Sequence, residues 1–372
     1  MKRVVLIACV LAAVMLCAYA DVVFSGESKF STTASMPPAE ETGRTTSASL
    51  SQTFELDAYG DTTSFYLNAG FVYDSLENSL KAFVSEAYAD LFLGKAAFRF
   101  GRQKATWGNA EIESAVDVIT PSDMSDPISM SKTAVNALKF SFDAFPFAFD
   151  LYWIPIFTPA VLPAEMTAMY EAYGIEVRKP EPELENGEVG MKVSAYTSAG
   201  DFSLYGYYGW EDMPVVSGSF PDLYGKYERL VMAGASAAVP VGEVTLKAEG
   251  AWYPKRDKSF SAMAGLEWMH DDMTFIGELY GDWDKETEKL SGQVGASIGY
   301  DLLDGDLELS VAGILELRDL DGAVMADVTY SFSDDLKASA GMVCVFEGPD
   351  EAGTYGAFKN LSCVRLGATY NF

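Results

Sequence analysis

The sequence is poor in the residue types that much of protein chemistry uses. Its 372 residues include one histidine and four cysteines, and 26 lysine and arginine residues stand against 54 aspartate and glutamate residues. A single histidine argues against histidine-based acid–base catalysis and against a histidine-rich metal site. The shortage of basic residues argues against nucleic-acid binding, because phosphate backbones need clustered lysine and arginine. We therefore expect no catalytic residues, no metal or cofactor, and no nucleic-acid partner.

Long apolar runs are also lacking beyond the first twenty residues. Those twenty begin with Lys2 and Arg3, continue with an apolar run over 4–18, and end in Ala18-Tyr19-Ala20. This order predicts a secretory signal peptide over 1–20 that is cleaved after Ala20, which leaves 21–372 as one domain. No later run reaches the roughly 18–20 apolar residues of a membrane-spanning helix, so we expect none. Only Cys344 and Cys363 remain after cleavage, so disulfides are not the main stabilising device.

Apolar and aromatic residues, in contrast, are plentiful. Hydrophobic residues make up 49% of the chain, with 20 tyrosines, 23 phenylalanines and 32 glycines. Such a chain can bury enough apolar surface to fold, which excludes intrinsic disorder. An exported, aromatic-rich chain without a spanning helix is either a soluble β-protein or an outer-membrane barrel, in which apolar residues are distributed singly along strands.

Strand alternation decides between these two classes. At the end of the chain, Val364, Leu366, Ala368, Tyr370 and Phe372 alternate with small or polar residues. The same period of two recurs over 65–73, 147–154, 244–252, 293–300 and 307–317. A tilted strand needs about 9–11 residues to cross a bilayer, which these segments provide. The pattern predicts an all-β fold, a transmembrane antiparallel up-and-down β-barrel.

The connections give a strand count. Tight links fall at 58–62, 93–96, 143–146, 198–201, 240–242, 270–272, 303–306 and 333–335. Each consecutive pair of links encloses one strand pair with a longer loop, as in outer-membrane barrels with short periplasmic turns and long outer loops. We predict about 18 strands; 16 also fits, because 22–32 and 230–239 are weak strands.

Long outer loops are expected at 105–132, 158–186 and 211–225, with a short helix over 164–173. The Trp and Tyr residues near strand ends, including Trp107 and Tyr207, are expected to form aromatic girdles at the two membrane interfaces.

Two stretches resemble porin-like outer-membrane families. One is the final alternating strand with Tyr370 and Phe372; the other runs Gly101-Arg102-Gln103, Trp107-Gly108 and then Asp117-Val118-Ile119-Thr120-Pro121-Ser122-Asp123. The resemblance implies that the barrel-assembly machinery reads Tyr370 and Phe372, and that the third outer loop, 105–132, folds into the lumen and narrows it. It also implies outer-membrane lipid as surroundings and small polar solutes as cargo. Porins are commonly trimers, so a homotrimer is one expected assembly.

The resemblance and the strand alternation together select the candidate site. The constriction loop would carry Arg102, Lys104, Glu111, Glu113, Asp117 and Asp123. Alternation directs to the lumen Arg99, Lys139, Lys192, Glu249, Glu267, Glu278, Glu308, Glu316, Asp327 and Arg365. Alternation turns Arg102 outward, so its place in a constriction requires a bulge or a rim position. The wall charges either face each other across a water-filled pore or pair with one another; the sequence leaves both open.

The sequence favours a channel for passive diffusion of small polar solutes, with a weak cation preference from the acid excess. The alternative is a surface-exposed adhesin or ligand-binding barrel that acts through its long acidic loops, such as Pro180–Glu185. An enzyme is disfavoured, because the single His270 falls in a predicted turn.

Overall fold

The computed structural model describes residues 21–36, 46–125, 131–220, 222–254, 258–285, 288–349, 353 and 355–372. The predicted signal peptide and its cleavage site lie outside these residues. In the described part, no helix has both the length and the apolar character that crossing a membrane requires.

β-Strands make up most of the described chain. The strands are β1 Asp21–Ser35, β2 Thr46–Tyr59, β3 Thr63–Asp74, β4 Ser79–Leu93, β5 Ala96–Gln103, β6 Val135–Ala144, β7 Phe147–Ile154, β8 Glu176–Arg178, β9 Glu188–Thr197, β10 Gly200–Trp210, β11 Val215–Ser219, β12 Asp222–Lys226, β13 Arg229–Val241, β14 Val244–Trp252, β15 Lys258–His270, β16 Met273–Asp284, β17 Lys289–Leu302, β18 Leu307–Glu316, β19 Gly322–Ser331, β20 Leu336–Phe346 and β21 Cys363–Asn371. One α-helix, α1, spans Ala164–Ala172, close to the predicted 164–173. Short 3-10 turns lie at Leu184–Asn186, Leu303–Gly305 and Gly356–Leu361.

Eighteen of these strands form one closed antiparallel barrel, which confirms the predicted fold class. Each barrel strand pairs with its neighbours along the chain, and β1 pairs with β21 to close the ring. Closure gives each of the eighteen barrel strands a partner on both sides, so the barrel has no open edge strand. Strands β8, β11 and β12 form a separate three-stranded sheet.

The links between strands differ at the two ends of the barrel. All eight predicted tight links join consecutive barrel strands at one end, which we call the turn end; β1 begins and β21 finishes there. The opposite end, the loop end, carries the long segments 104–134, 155–187 and 211–228. A fourth long segment, 347–362, joins β20 to β21 at the loop end and was not among the predicted long loops.

The outer face of the barrel is apolar, as the alternation predicts. In β21 the exposed positions are Val364, Leu366, Ala368 and Tyr370, and the intervening residues are less exposed. Phe372 continues this outer row and packs beside Phe24, with ring centroids 6.2 Å apart. Gly26 leaves the space for its ring, because a Cβ atom there would lie 2.5 Å from the Phe372 ring.

Two predicted girdle residues lie inside the barrel. Trp107 is 1% exposed and Tyr207 is 4% exposed, and the two rings meet edge to face. The girdle prediction is wrong for both, because the indole stands on an interior loop and Tyr207 faces inward from β10. Cys344 and Cys363 are not joined by a disulfide. They stand on adjacent strands whose alternation directs them to opposite faces.

Deleting 363–372 tests the closure of the barrel. The deletion removes β21 and leaves the edges of β1 and β20 without partners. We expect the shortened chain to lose the shift in gel migration that a folded barrel shows between unboiled and boiled samples. The full-length chain is the control, and an unchanged shift in the shortened chain would contradict the observed closure.

Candidate functional site

The segment 104–134 is called the inner loop, and its described residues, 104–125 and 131–134, cross the interior of the barrel. It leaves the end of β5, yet its backbone reaches side chains on strands far around the ring. Gly108 N donates to the Tyr205 hydroxyl on β10 at 3.2 Å, and Tyr253, just beyond β14, donates its hydroxyl to Ala115 O at 2.7 Å. The inner loop therefore lies against the opposite wall.

Glu249 on β14 holds the middle of the inner loop. Its carboxylate accepts hydrogen bonds from the backbone N–H groups of Asn109, Ala110 and Ala115 and from the Ser114 hydroxyl. Its side chain is buried. A carboxylate that accepts several N–H donors makes hydrogen bonds stronger than neutral ones, so Glu249 fixes the loop conformation as well as its position.

Glu278 on β16 makes a second attachment of the same kind. Its Oε1 atom accepts from Glu111 N at 2.8 Å, and its Oε2 atom accepts from Ile112 N at 2.9 Å. Between the two attachments, Lys247 pairs with Glu111 at 3.0 Å and with Glu267 at 2.9 Å. Two wall carboxylates and one lysine thus connect 109–115 to strands β14–β16.

Apolar packing supports the inner loop from the other side. Trp107 is enclosed by the rings of Tyr152, Tyr205 and Tyr207, at centroid distances of 5.3–6.5 Å. Gly190 permits this approach, since a Cβ atom there would come within 2.9 Å of the indole. Burying one tryptophan removes a large apolar area from water, so this cluster is a substantial apolar contact of the loop.

The wall charges pair with one another on strands that are adjacent or one strand apart. Arg99 pairs with Asp90 at 2.7 Å and stacks on Tyr88, and Lys139 pairs with Asp150 at 3.2 Å. The other contacts are Lys192 over the Tyr205 ring at 5.7 Å, Glu308 with Lys337 at 3.5 Å, and Asp327 with Arg365 at 3.4 Å. Because acid and base stand side by side, these pairs do not divide the lumen into one positive and one negative wall.

The remaining predicted loop residues are dispersed. Arg102 shares the outer face of β5 with Phe100 and donates to the carbonyl of Val84 at 2.9 Å, beside a bulge in β4. Lys104 is exposed, and its backbone N–H donates to Glu86. Asp123 accepts from Ser125 in a local turn. The structure thus brings Glu111, Glu113 and Asp117 into the interior and leaves Arg102 on the outer face.

A cavity of about 520 Å³ lies at the loop end, between the inner loop and the wall. Among its described lining residues, Lys132 is the basic side chain and six are acidic. The acidic residues are Glu113, Asp117, Glu211, Asp212, Asp282 and Glu316. Three tyrosines, Tyr253, Tyr280 and Tyr355, complete the wall. The cavity is therefore strongly negative and partly aromatic.

Two of these carboxyl groups have altered acidity. Burial raises the pKa of Asp117 to about 6, although Lys132 lies 3.6 Å away and opposes the shift. Burial also raises the pKa of Asp212 to about 8, and the nearby Glu188 adds to the shift. Burial and neighbouring acids thus disfavour the charged forms of both carboxyl groups, and few basic side chains oppose this.

Sequence alternation could not identify several of these residues. Asp212, Tyr253 and Tyr355 lie on loops, where no period of two applies. Tyr355 reaches the cavity because its N–H and that of Gly356 donate to the buried Asp321 at the start of β19. The sequence feature that could have indicated this contact is the Asp-Gly pair at 321–322, but such a pair is typical of an ordinary turn. In the described ranges, no three His, Cys, Asp or Glu residues are grouped so as to hold a metal ion.

Comparison with known proteins shows similarity in fold. OccK2 (OpdF) of Pseudomonas aeruginosa matches with a TM-score of 0.59 and 8% identity, over 95% of this chain and 98% of that chain. A structure of OccK2 with glucuronate matches with a TM-score of 0.59 and 9% identity, over the same shares. A mutant porin of Rh. blastica matches with a TM-score of 0.48 and 13% identity, over 95% of this chain and all of that chain. No protein-family model matches the sequence, and no curated protein matches it.

The Glu249→Gln variant tests the attachment of the inner loop. In the variant, the amide N–H₂ group would face backbone N–H groups that now donate hydrogen bonds to the carboxylate. Backbone amides 109–115 should therefore exchange hydrogen at least about tenfold faster, which corresponds to a loss of about 1.4 kcal/mol in the free energy of local opening. Amide exchange in folded protein measures this. Glu308→Gln, which neutralises a wall carboxylate away from the loop, is the matched control and should leave these amides protected. Equal protection in both variants would contradict the role of Glu249.

Proposed function

We propose that this protein is an outer-membrane channel for the passive diffusion of small polar solutes. The observation that carries the proposal is the inverted distribution of side chains around a closed barrel. Large apolar residues cover the outside, for example Leu204 at 63% exposure, while the ion pairs and carboxylates lie inside. Soluble proteins rarely expose a continuous apolar surface of this kind, whereas a barrel in lipid requires it.

The interior supports passive transport. A barrel of eighteen strands is too wide for wall side chains alone to fill, so a water-filled passage remains beside the inner loop. Selectivity then depends on the width that the loop leaves and on the charges along the passage. Because concentration gradients drive such transport, the function needs no cofactor and no catalytic residue. His270 agrees with this assignment, since it contacts Glu243 at 3.0 Å at the turn end, away from the cavity.

A weak preference for cations belongs to the same proposal. The carboxylates at the loop end would concentrate cations at the entrance and repel anions. Glucuronate, the ligand solved with OccK2, is an anion, and the acidic lining of the present cavity favours solutes of the opposite charge. Deeper in the barrel, paired wall charges would contribute little net field.

The assembly features predicted from the sequence complete the proposal. A signal peptide cleaved after Ala20 would direct export, and Tyr370 and Phe372 on the last strand would be read by the barrel-assembly machinery. Lipid would cover the apolar outer face. A homotrimer fits this scheme, because porins commonly assemble in threes.

The alternative, an adhesin or ligand-binding barrel, finds support in the external loops. Strands β8, β11 and β12 form a small sheet outside the barrel, and Phe220 in its hairpin is 79% exposed. A loop-deletion variant that loses binding to a partner while retaining its conductance would favour this alternative.

Planar-bilayer recording tests the channel proposal. Refolded protein should give discrete conductance steps, and a salt gradient should give a reversal potential of the sign that indicates cation preference. The double variant Glu249→Gln with Glu278→Gln should give larger steps, because the inner loop loses both wall attachments. The absence of steps from correctly folded protein would overturn the channel proposal.

Leu366→Arg tests the lipid-facing surface. Arginine near the middle of the outer face should cost roughly 2–4 kcal/mol of folding free energy in phospholipid vesicles. Ser339→Arg on the adjacent strand is the matched control, since its side chain would point into the aqueous interior near Asp327. Equilibrium unfolding in vesicles measures both variants, and equal losses would contradict the proposed orientation.

A further inference from the structure

The cavity at the loop end has a surplus of hydrogen-bond acceptors. Its tyrosine hydroxyls already donate to the protein: Tyr253 to Ala115 O at 2.7 Å, Tyr280 to Asp282 at 3.0 Å, and Tyr355 to Gln293 at 3.1 Å. The Ser114 hydroxyl likewise donates to Glu249. Each hydroxyl therefore turns its lone pairs, and not its hydrogen, toward any further partner. The lining can accept hydrogen bonds far more readily than it can donate them.

Asp212 is the side chain that most needs an external partner. It lines the cavity, yet its carboxylate makes no ion pair or side-chain hydrogen bond with any residue in the described ranges. The surrounding loops desolvate it, and Glu188, Glu211 and Asp117 add negative charge around it, opposed by Lys132. The charged form of Asp212 is therefore costly without a cation, and its pKa rises to about 8; a cation that enters the cavity would stabilise the charged form.

The form of the cavity restricts the kind of cation. A compact metal ion needs several ligands converging on one point, and in the part of the chain that the structure describes no such group occurs. The carboxylates stand instead on separate elements, with Asp117 on the inner loop, Asp212 after β10 and Asp282 on β16. The volume of about 520 Å³ is within the range of sites for small organic molecules. Tyrosine faces also attract organic cations.

We propose that this cavity binds a small organic cation that carries an ammonium or guanidinium group, with Asp212 as its principal ionic partner. The inference deepens the proposed channel function, since it names the solute class that the entrance would retain. The ammonium hydrogens match the surplus acceptors, and the organic part of the solute lies against Tyr253, Tyr280 and Tyr355. Uncharged and anionic solutes of the same size gain none of the ionic contact.

Calorimetry on the folded full chain in detergent tests the site with three probes of similar shape. Phenethylammonium is the cation, 2-phenylethanol the neutral probe and 3-phenylpropionate the anion. We expect binding of the cation only, and at pH 9, where Asp212 is charged, Asp212→Asn should weaken it at least about tenfold, which is 1.4 kcal/mol. Asp61→Asn, an equal charge change in an exposed turn at the other end of the barrel, should leave binding unchanged. Heat-modified migration verifies that both variants are folded.

The pH dependence gives a second readout. Because the raised pKa of Asp212 is about 8, its carboxyl is neutral below that pH and charged above it. Alkylammonium groups stay protonated up to about pH 10. Affinity should therefore increase from pH 7 to pH 9, and the increase should be smaller in Asp212→Asn, in which Asp117, Glu188, Glu211 and Lys132 are unchanged.

The outcomes separate this inference from the channel proposal. Failure of the wild-type chain to bind the cation, preferential binding of the anion, or equal binding by Asp212→Asn would overturn the site, whatever the conductance. Cation binding by a protein that gives no conductance steps would overturn the channel and support the site. Cation binding together with conductance steps that the cation reduces would support both.

Discussion

The whole structure depends on the closure of one antiparallel ladder, in which β1 pairs with β21. Once the ring is closed, every barrel strand has a partner on both sides, and each of its residues must face either outward or inward. The outward set is apolar and the inward set holds the ion pairs. This division lets a chain with 54 acidic residues present a continuous apolar exterior with no apolar membrane-spanning helix among its described residues.

The ring creates an interior that its walls do not fill, and the inner loop occupies part of it. Glu249 and Glu278 accept backbone N–H groups from the loop, and Trp107 packs among three wall tyrosines. These wall carboxylates act mainly by holding the loop. The carboxyl groups that line the cavity are concentrated at the loop end, where Asp117 and Asp212 lie near Lys132. Under the proposed channel function, different residues of one barrel would thus set the width of the passage and its charge selection.

The features predictable from the sequence follow from strict periodicity. Alternation and tight links identified the fold class and the 18-strand count, and alternation correctly separated Arg99 from Arg102. The partners of those residues could not be predicted in the same way. Arg99 meets Asp90 because β4 and β5 pair in a particular register, and nothing in the local pattern selects that carboxylate. The girdle positions assigned to Trp107 and Tyr207 were wrong for a related reason: residue type indicates an interface, but not which face of the wall a ring occupies.

By itself, the sequence determined that this chain is an all-β barrel with an apolar outer face, because a period of two is a local property that each strand carries independently. Only the tertiary structure decided where the loops go. Asp212, Tyr253 and Tyr355 lie in segments without periodicity, and they meet at one cavity because the inner loop and the segment 347–362 fold inward. Contacts between residues separated by 140 positions, such as Asn109 with Glu249, depend on a closed ring that brings distant strands face to face.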